Sequence, residues 1–266
     1  MDRIYRVSDG GQPFYAVERD GHLRRAAFAS GHFGADYTAG DDVDGGLQAV
    51  RVLAPLRPSK MVCVGQNYLD HIAELKRPVP TEPVLFLKPP TTVIDPGQPI
   101  KLPPGVGRVD HEAELAIVIG RRAHRVARAQ AWDYIFGITG VNDVTARDIQ
   151  NKEVQYTRAK GFDTFAPIGP CILVGKHADP RKVEGFINGQ PRQSSTTAQL
   201  LFPIEMLVEY ITFVMTLEPG DIIFTGTPSG VGHARKPNPI WMKAGDVCEI
   251  EIEGLGVLRN PIQDEA

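Results

Sequence analysis

"DHEAELAIVIG", residues Asp110 to Gly120, sets two glutamates, separated by one residue, at the head of an apolar run. Strand side chains alternate between faces, so Glu112 and Glu114 project to the same side and Ala116 and Val118 continue their row. Carboxylates this close repel one another unless positive charge lies between them. Spacing alone leaves two readings: a solvated strand face, or ligands for a metal ion.

Outward from this strand, short β-like runs recur between turns from Lys60 onward: "MVCVG", "VLFLK", "IFGITGVND", "CILVG", "VEGFINGQ", "DIIFTG" and "CEIEIEG". Helical spacing is expected at "RAQAWDY" and at "PIEMLVEYITFVM", where Ile204, Leu207, Val208, Ile211, Val214 and Met215 form an apolar core stripe. Strands do not alternate regularly with helices, which disfavours a doubly wound sheet and predicts a mixed, β-rich α+β fold. Residues 1–57 read as a small β-rich unit, with strands at "RIYRV", "PFYAVE" and "LRRAAF" and a hairpin turn at Asp20-Gly21. The proline-bearing "APLRPSK" is the expected linker into a main domain over residues 58–266.

The 266-residue chain is 42% hydrophobic, enough for a sizeable core. A net charge of −3 and no long basic run make nucleic acid an unlikely partner class. Cys63, Cys171 and Cys248 are odd in number and widely spaced, so no disulfide is expected and the pattern fits a reducing cytoplasm. Neither a leader-like N-terminus nor a run of about 20 apolar residues predicts contact with a membrane.

Familiar signatures fall away on inspection. "HEAEL" lacks the second histidine of a zincin helix, and "TGTPSGVGHARK" lacks the Gly-Lys-Ser/Thr of a phosphate-binding loop. No nucleophile elbow and no papain-like cysteine context occur. Asp143, closing "IFGITGVND", adds a third carboxylate at a strand end. An all-oxygen set of Glu112, Glu114 and Asp143 suits Mg2+ or Mn2+ better than zinc or copper.

The blocks "VGQNYLDHIAE", "PVLFLKP", "DHEAELAIVIG", "GVNDVTARDIQ", "AKGFDTFAPIGP", "NGQPRQ", "LEPGDIIFTGTPSGVG" and "AGDVCEIEIEGLGVLRNPI", in this order, resemble the fumarylacetoacetate hydrolase family. The resemblance implies a β-roll fold, a homodimer, and Mg2+ or Mn2+ held by Glu112, Glu114 and Asp143. It also implies a 2-oxo acid substrate, whose carboxylate and keto oxygens can chelate one divalent ion. His71 and Glu74, three apart in "NYLDHIAEL", would share a face of a short helix, with Glu74 orienting His71 as a general base. Spacing alone favours an ordinary surface pair; the family match reverses that and places them on a dyad carried by a lid.

Lys160 matches a lysine near the metal, Thr227 a contact to the substrate carboxylate, and Gly226 and Gly230 positions of backbone geometry beside it. Lys88 and Arg147 read either as partners of the carboxylate ligands or as structural ion pairs. The remaining histidines, His22, His32, His111, His124, His177 and His233, read as ordinary surface or structural residues. Gln66 departs from the arginine or leucine often found before "NY", removing one potential anchor for a second substrate carboxylate. The dyad favours hydrolysis of a 2,4-dioxo acid. Decarboxylation or tautomerisation of a related oxo-diacid is the alternative, and a non-catalytic metal- or metabolite-binding protein a third reading.

Overall fold

The computed structural model describes residues 1–29, 36–235 and 237–265. Strands β1 (Arg3–Ser8), β2 (Phe14–Arg19), β3 (His22–Phe28), β4 (Tyr37–Asp42) and β5 (Arg51–Leu53) come first. They are followed by β6 (Met61–Gly65), helix α1 (Leu69–Leu75), β7 (Val84–Lys88), β8 (Val93–Ile94) and β9 (Ile100–Leu102). Next come β10 (Val109–Asp110), β11 (Ala113–Ile119), β12 (Ile135–Asn142) and β13 (Thr145–Ala146). Single-turn helices α2 (Arg147–Gln150) and α3 (Thr157–Lys160) precede β14 (Ala166–Val174), β15 (Lys182–Ile187) and β16 (Gln190–Thr196). Helix α4 (Ile204–Val214), β17 (Ile222–Phe224), β18 (Val247–Ile252) and β19 (Gly256–Asp264) complete the chain.

Among the described residues, twelve strands make one mixed sheet that curls into a half-barrel, in the order β4-β3-β2-β1-β14-β12-β11-β17-β6-β7, with β5 on β1 and β8 on β14. A five-stranded sheet, β16-β15-β18-β19-β9, packs across it. β11 is buried on both faces, which is why it reads as an unbroken apolar run. Leu115, Ile117 and Ile119 face a cluster with Val183, Ile250 and Leu258 of the second sheet and Leu207 and Ile211 of α4. Ala116 and Val118 face Met61, Cys63 and Phe224. The row that begins with Glu114 thus continues into a dry core.

The strands of residues 1–57 form an antiparallel meander whose β1 pairs with β14, Ile4 lying opposite Ile172. Asp20 (φ 53°) and Gly21 (φ 81°) make the tight β2–β3 turn. The segment expected to be a solvated linker is largely buried instead. Ala54 and Leu56 lie in the core, and Asp95 Oδ1 accepts from the Ala54 N–H at 2.9 Å and from Arg57 Nη2 at 3.0 Å. A carboxylate thus supplies partners that a proline-interrupted strand could not find in a ladder.

Two helical expectations change. "RAQAWDY" is a 3-10 helix, Arg128–Tyr134, flanked on both sides by extended residues. In α4 the stripe holds through Ile204, Leu207, Val208 and Ile211, but Val214 is 61% exposed because the helix ends there and Met215 is already extended. Cys63, Cys171 and Cys248 are free and buried. No helix among the described residues is long and apolar enough to cross a membrane.

Candidate active site

Antiparallel pairing of β11 with β12, Ala113 opposite Asn142, brings the start of one strand to the end of the other. The Asp143 N–H donates to the Glu112 carbonyl at 2.9 Å, so Asp143 joins Glu112 and Glu114 across one strand end. One carboxylate oxygen from each of the three lies within 4.8 Å of the others, and all three side chains are buried.

Cations surround two of the three. Lys160 Nζ donates to Glu112 Oε2 at 2.6 Å and pairs with Asp143; Lys88 Nζ donates to Asp143 Oδ1 at 2.7 Å. Arg147 Nη2 lies 2.7 Å from Glu112 Oε1 and 2.9 Å from Asp110 Oδ2. Burial alone would raise the Glu112 carboxyl, yet Lys160 and Arg147 hold it well below the usual range. Burial likewise works against the Lys160 ammonium, but Asp143 and Glu112 keep it firmly protonated. Glu114 has no ion-pair partner among the described residues; burial and the neighbouring Asp143 and Glu112 charges push its carboxyl well above the usual range. Three converging hard oxygens, one of them without a counter-charge, fit a divalent cation of the Mg2+ or Mn2+ type.

His71 and Glu74 stand on α1, the imidazole Nδ1 2.8 Å from Glu74 Oε1. The helix is tied down at both ends. Asp70 accepts from Ser195 Oγ at 2.6 Å and Ser229 Oγ at 3.2 Å, while Glu74 accepts from the Gly230 N–H at 3.0 and 3.1 Å. Before it, Asn67 accepts from the Phe202 N–H at 2.8 Å and donates to the Thr225 carbonyl at 2.8 Å. Helix α1 and the residues before it are therefore clasped to the surrounding loops.

The loop after β17 does most of the clasping. Its Gly226 N–H donates to Glu114 Oε2 at 2.9 Å, its Gly230 N–H to Glu74, and its Gly232 N–H to Asp110 Oδ1 at 2.8 Å. Gly226 (φ +98°) could not carry a side chain without meeting Asn67 Cβ at 2.9 Å, and Gly230 (φ +104°) leaves only 2.1 Å to the Arg192 carbonyl. The backbone of Gly226 thus positions Glu114.

His71, Gln66, Thr227, Arg147 and Lys160 line one cleft together with the triad. Thr227 donates its hydroxyl proton to the Ala113 carbonyl at 3.1 Å and accepts from Gln193 Nε2 at 2.7 Å, so its side chain has no donor left for a ligand. Lys88 is fully buried behind Asp143. Gln66 holds φ +54° where the chain leaves β6. The same cleft is lined by Arg77, Gln150, Tyr156 and His233, which the sequence reading did not single out; His233 it took for an ordinary histidine. Asp110, also passed over, anchors Arg147 through its Nε at 3.0 Å. His32 lies outside the described residues.

Residues 60–263 match the family described as fumarylacetoacetate (FAA) hydrolase C-terminal. The chain belongs to this family, whose members are hydrolases, isomerases and tautomerases. It is similar to the solved structure of 5-carboxymethyl-2-hydroxymuconate delta-isomerase from Mycobacterium smegmatis, with 41% identity and a TM-score of 0.87 over 99% of this chain and 100% of that one. Fumarylacetoacetate hydrolase from Exiguobacterium antarcticum is 34% identical, with a TM-score of 0.85 over the whole of both chains. A mitochondrial oxaloacetate tautomerase of Xenopus laevis is 42% identical over 219 residues, 80% of this chain and 68% of that protein.

Proposed function

We propose that this protein is a divalent-metal-dependent enzyme that moves a proton at the carbon next to the keto group of a 2-oxo acid, a tautomerase or isomerase. The observation that carries proton chemistry here is the 2.8 Å His71–Glu74 pair beside the carboxylate triad; the pair by itself suits hydrolysis as well, and the likeness to the Mycobacterium smegmatis isomerase and the Xenopus laevis oxaloacetate tautomerase favours transfer at carbon. Glu112, Glu114 and Asp143 are the residues that would hold Mg2+ or Mn2+. When bound there, the ion supplies positive charge for the negative charge that gathers on the keto oxygen as the C3 proton leaves.

The chain's own groups handle the proton. Ionised Glu74 accepts from Nδ1 of His71, which leaves Nε2 as the bare nitrogen that takes the C3 proton. Glu74 stabilises the resulting imidazolium, and the Gly230 N–H keeps the carboxylate from turning away. His71 then returns the proton to the keto oxygen in a tautomerase, or further along the conjugated chain in an isomerase. Lys160 and Arg147 keep Glu112 ionised, and together with Lys88 they hold Glu112 and Asp143 aligned during this transfer.

The test is a panel of 2-oxo acids with Mg2+ or Mn2+ in D2O, following C3 deuteration by NMR alongside release of pyruvate and carbon dioxide. Isomerisation predicts exchange or a new enol without fragments. A second reading, hydrolysis of a 2,4-dioxo acid with His71 deprotonating water, is favoured by the likeness to fumarylacetoacetate hydrolase; pyruvate with a second carboxylic acid would select it. Pyruvate with carbon dioxide would mean decarboxylation, and no exchange or turnover across the panel would overturn the enzymatic reading.

A further inference from the structure

The cations deepest in the cleft are already committed. Lys88 is paired with Asp143, Lys160 with Glu112 and Asp143, and Arg147 with Glu112 and Asp110. A divalent ion on the triad would be matched by one substrate carboxylate. A second carboxylate would need another positive group, and Gln66 on the cleft wall is neutral.

Arg77 is that group. It lines the cleft with the triad and, with His233, the adjoining hollow at its mouth. It has no ion pair or side-chain hydrogen bond among the described residues, whereas the other cations of the cleft each have a carboxylate partner.

Its position is built by the backbone. Helix α1 ends with Lys76 in the left-handed region (φ 52°), the Lys76 N–H donating to the Ala73 carbonyl at 3.1 Å and the Arg77 N–H to the Ile72 carbonyl at 3.2 Å. These are the two bonds of a Schellman cap, and they fix the residue after the left-handed one relative to the helix. The helix that carries His71 and Glu74 therefore also sets Arg77. Beside it, the His233 pKa is lowered first by burial and then by Arg147, with Arg77 and Arg108 pushing the same way against Asp110.

We infer that Arg77 is a specificity-determining residue that pairs with the distal carboxylate of the substrate, making the proposed enzyme selective for 2-oxo acids with two carboxylates. This rests on the proposed function and names its substrate class. A guanidinium meets a carboxylate through paired, charge-assisted hydrogen bonds, and such bonds are worth about 10- to 100-fold in affinity.

The experiment titrates the full chain, saturated with Mg2+, with 2-oxoglutarate and with 2-oxopentanoate, which has the same carbon count but one carboxylate. The wild type should bind the diacid about 10- to 100-fold more tightly. Arg77→Met should erase that gap while leaving the monoacid affinity unchanged, and Arg77→Lys should keep part of it. Equal weakening for both acids in Arg77→Met would mean a merely structural role and would overturn the assignment. Mg2+-dependent binding of both acids with no preference in the wild type would also overturn it, while leaving the proposed function standing. Absence of Mg2+-dependent binding by either acid would overturn both.

Discussion

At the scale of single residues, the site separates the groups that handle charge from those that handle protons. Glu112 and Asp143 are paired with Lys88, Lys160 and Arg147, Glu114 accepts from the Gly226 N–H, and none of these contacts involves His71, whose near partner is Glu74. His71→Ala should therefore bind Mg2+ with little change while its turnover falls about 10²- to 10⁴-fold, the usual result of removing a general base. Because Glu74 acts through His71, the double variant should lose little more than His71→Ala alone, whereas independent roles would multiply. Steady-state rates beside Mg2+ titrations of the three variants measure both halves; a His71→Ala rate within about threefold of wild type would place the base elsewhere. The two-residue period of a strand makes Glu112 and Glu114 legible as neighbours, and the three-residue period of a helix turn does the same for His71 and Glu74. Nothing local marks Tyr156 or His233, because they reach the cleft from segments whose approach is set by distant packing.

At the scale of elements, the loop from Gly226 to Gly232 links the carboxylate triad to helix α1. Its three glycine N–H groups each donate to a carboxylate of the site: Glu114, Glu74 and Asp110. Gly226→Ala would place a methyl group 2.9 Å from Asn67 Cβ and 3.1 Å from the Val64 carbonyl, at a φ that alanine resists. It should destabilise the fold by about 1–3 kcal/mol and weaken Mg2+ binding, because relieving the clash shifts the residue-226 N–H away from Glu114; thermal melts with and without Mg2+ would show both, and unchanged Mg2+ affinity would detach the loop from Glu114. A second element-level device joins β14 to β15. Arginine can only donate, so His177 Nδ1, 3.1 Å from Arg181 Nη2, is an acceptor, and Nε2 carries the proton toward the Leu173 carbonyl at 3.2 Å. Burial and then Arg181 hold the His177 pKa below its ordinary 6.5. The unfolded chain thus takes up a proton that the folded chain resists, so this contribution is intact above pH 6.5 and lost as pH falls below it. His177→Gln, which keeps an acceptor without titrating, should flatten the loss of stability between about pH 7.5 and 5.5 in urea melts; parallel curves for the two proteins would refute it. Such loops are the least readable part of the sequence. "GTPSGVG" announces positive φ values, but which carboxylates its N–H groups meet depends on Glu74, Glu114 and Asp110 arriving from three separate segments.

At the scale of the whole molecule, the carboxylate triad and the His71–Glu74 pair come from segments beyond residue 57, and the described residues before it make no hydrogen bond or ion pair to them. Those residues are still knitted into the same sheet: β1 pairs with β14, and Ile4 and Val17 share a buried cluster with Met61, Ala116 and Phe224. Their own strands and the Asp20-Gly21 turn are readable locally, whereas the β1–β14 pairing joins residues such as Ile4 and Ile172, far too distant in sequence for any local pattern to show. We propose that residues 1–57 are a module outside metal binding that supports the fold. Removing them would open one edge of β14 to solvent and uncover the apolar side of β6 and β11, leaving an unpaired strand edge that invites aggregation. The truncated chain should unfold at markedly lower urea concentration, since each large buried side chain exposed forfeits about 1.5–3 kcal/mol. Where it remains folded it should hold Mg2+ with wild-type affinity, because Glu112, Glu114, Asp143, Lys88, Lys160 and Arg147 all lie beyond residue 57 and pair only with one another and with Asp110. Circular dichroism to establish folding, followed by Mg2+ titration, decides it: a folded truncation that has lost the ion would show that the meander, through the β14 and β12 strands between, sets the spacing of the triad.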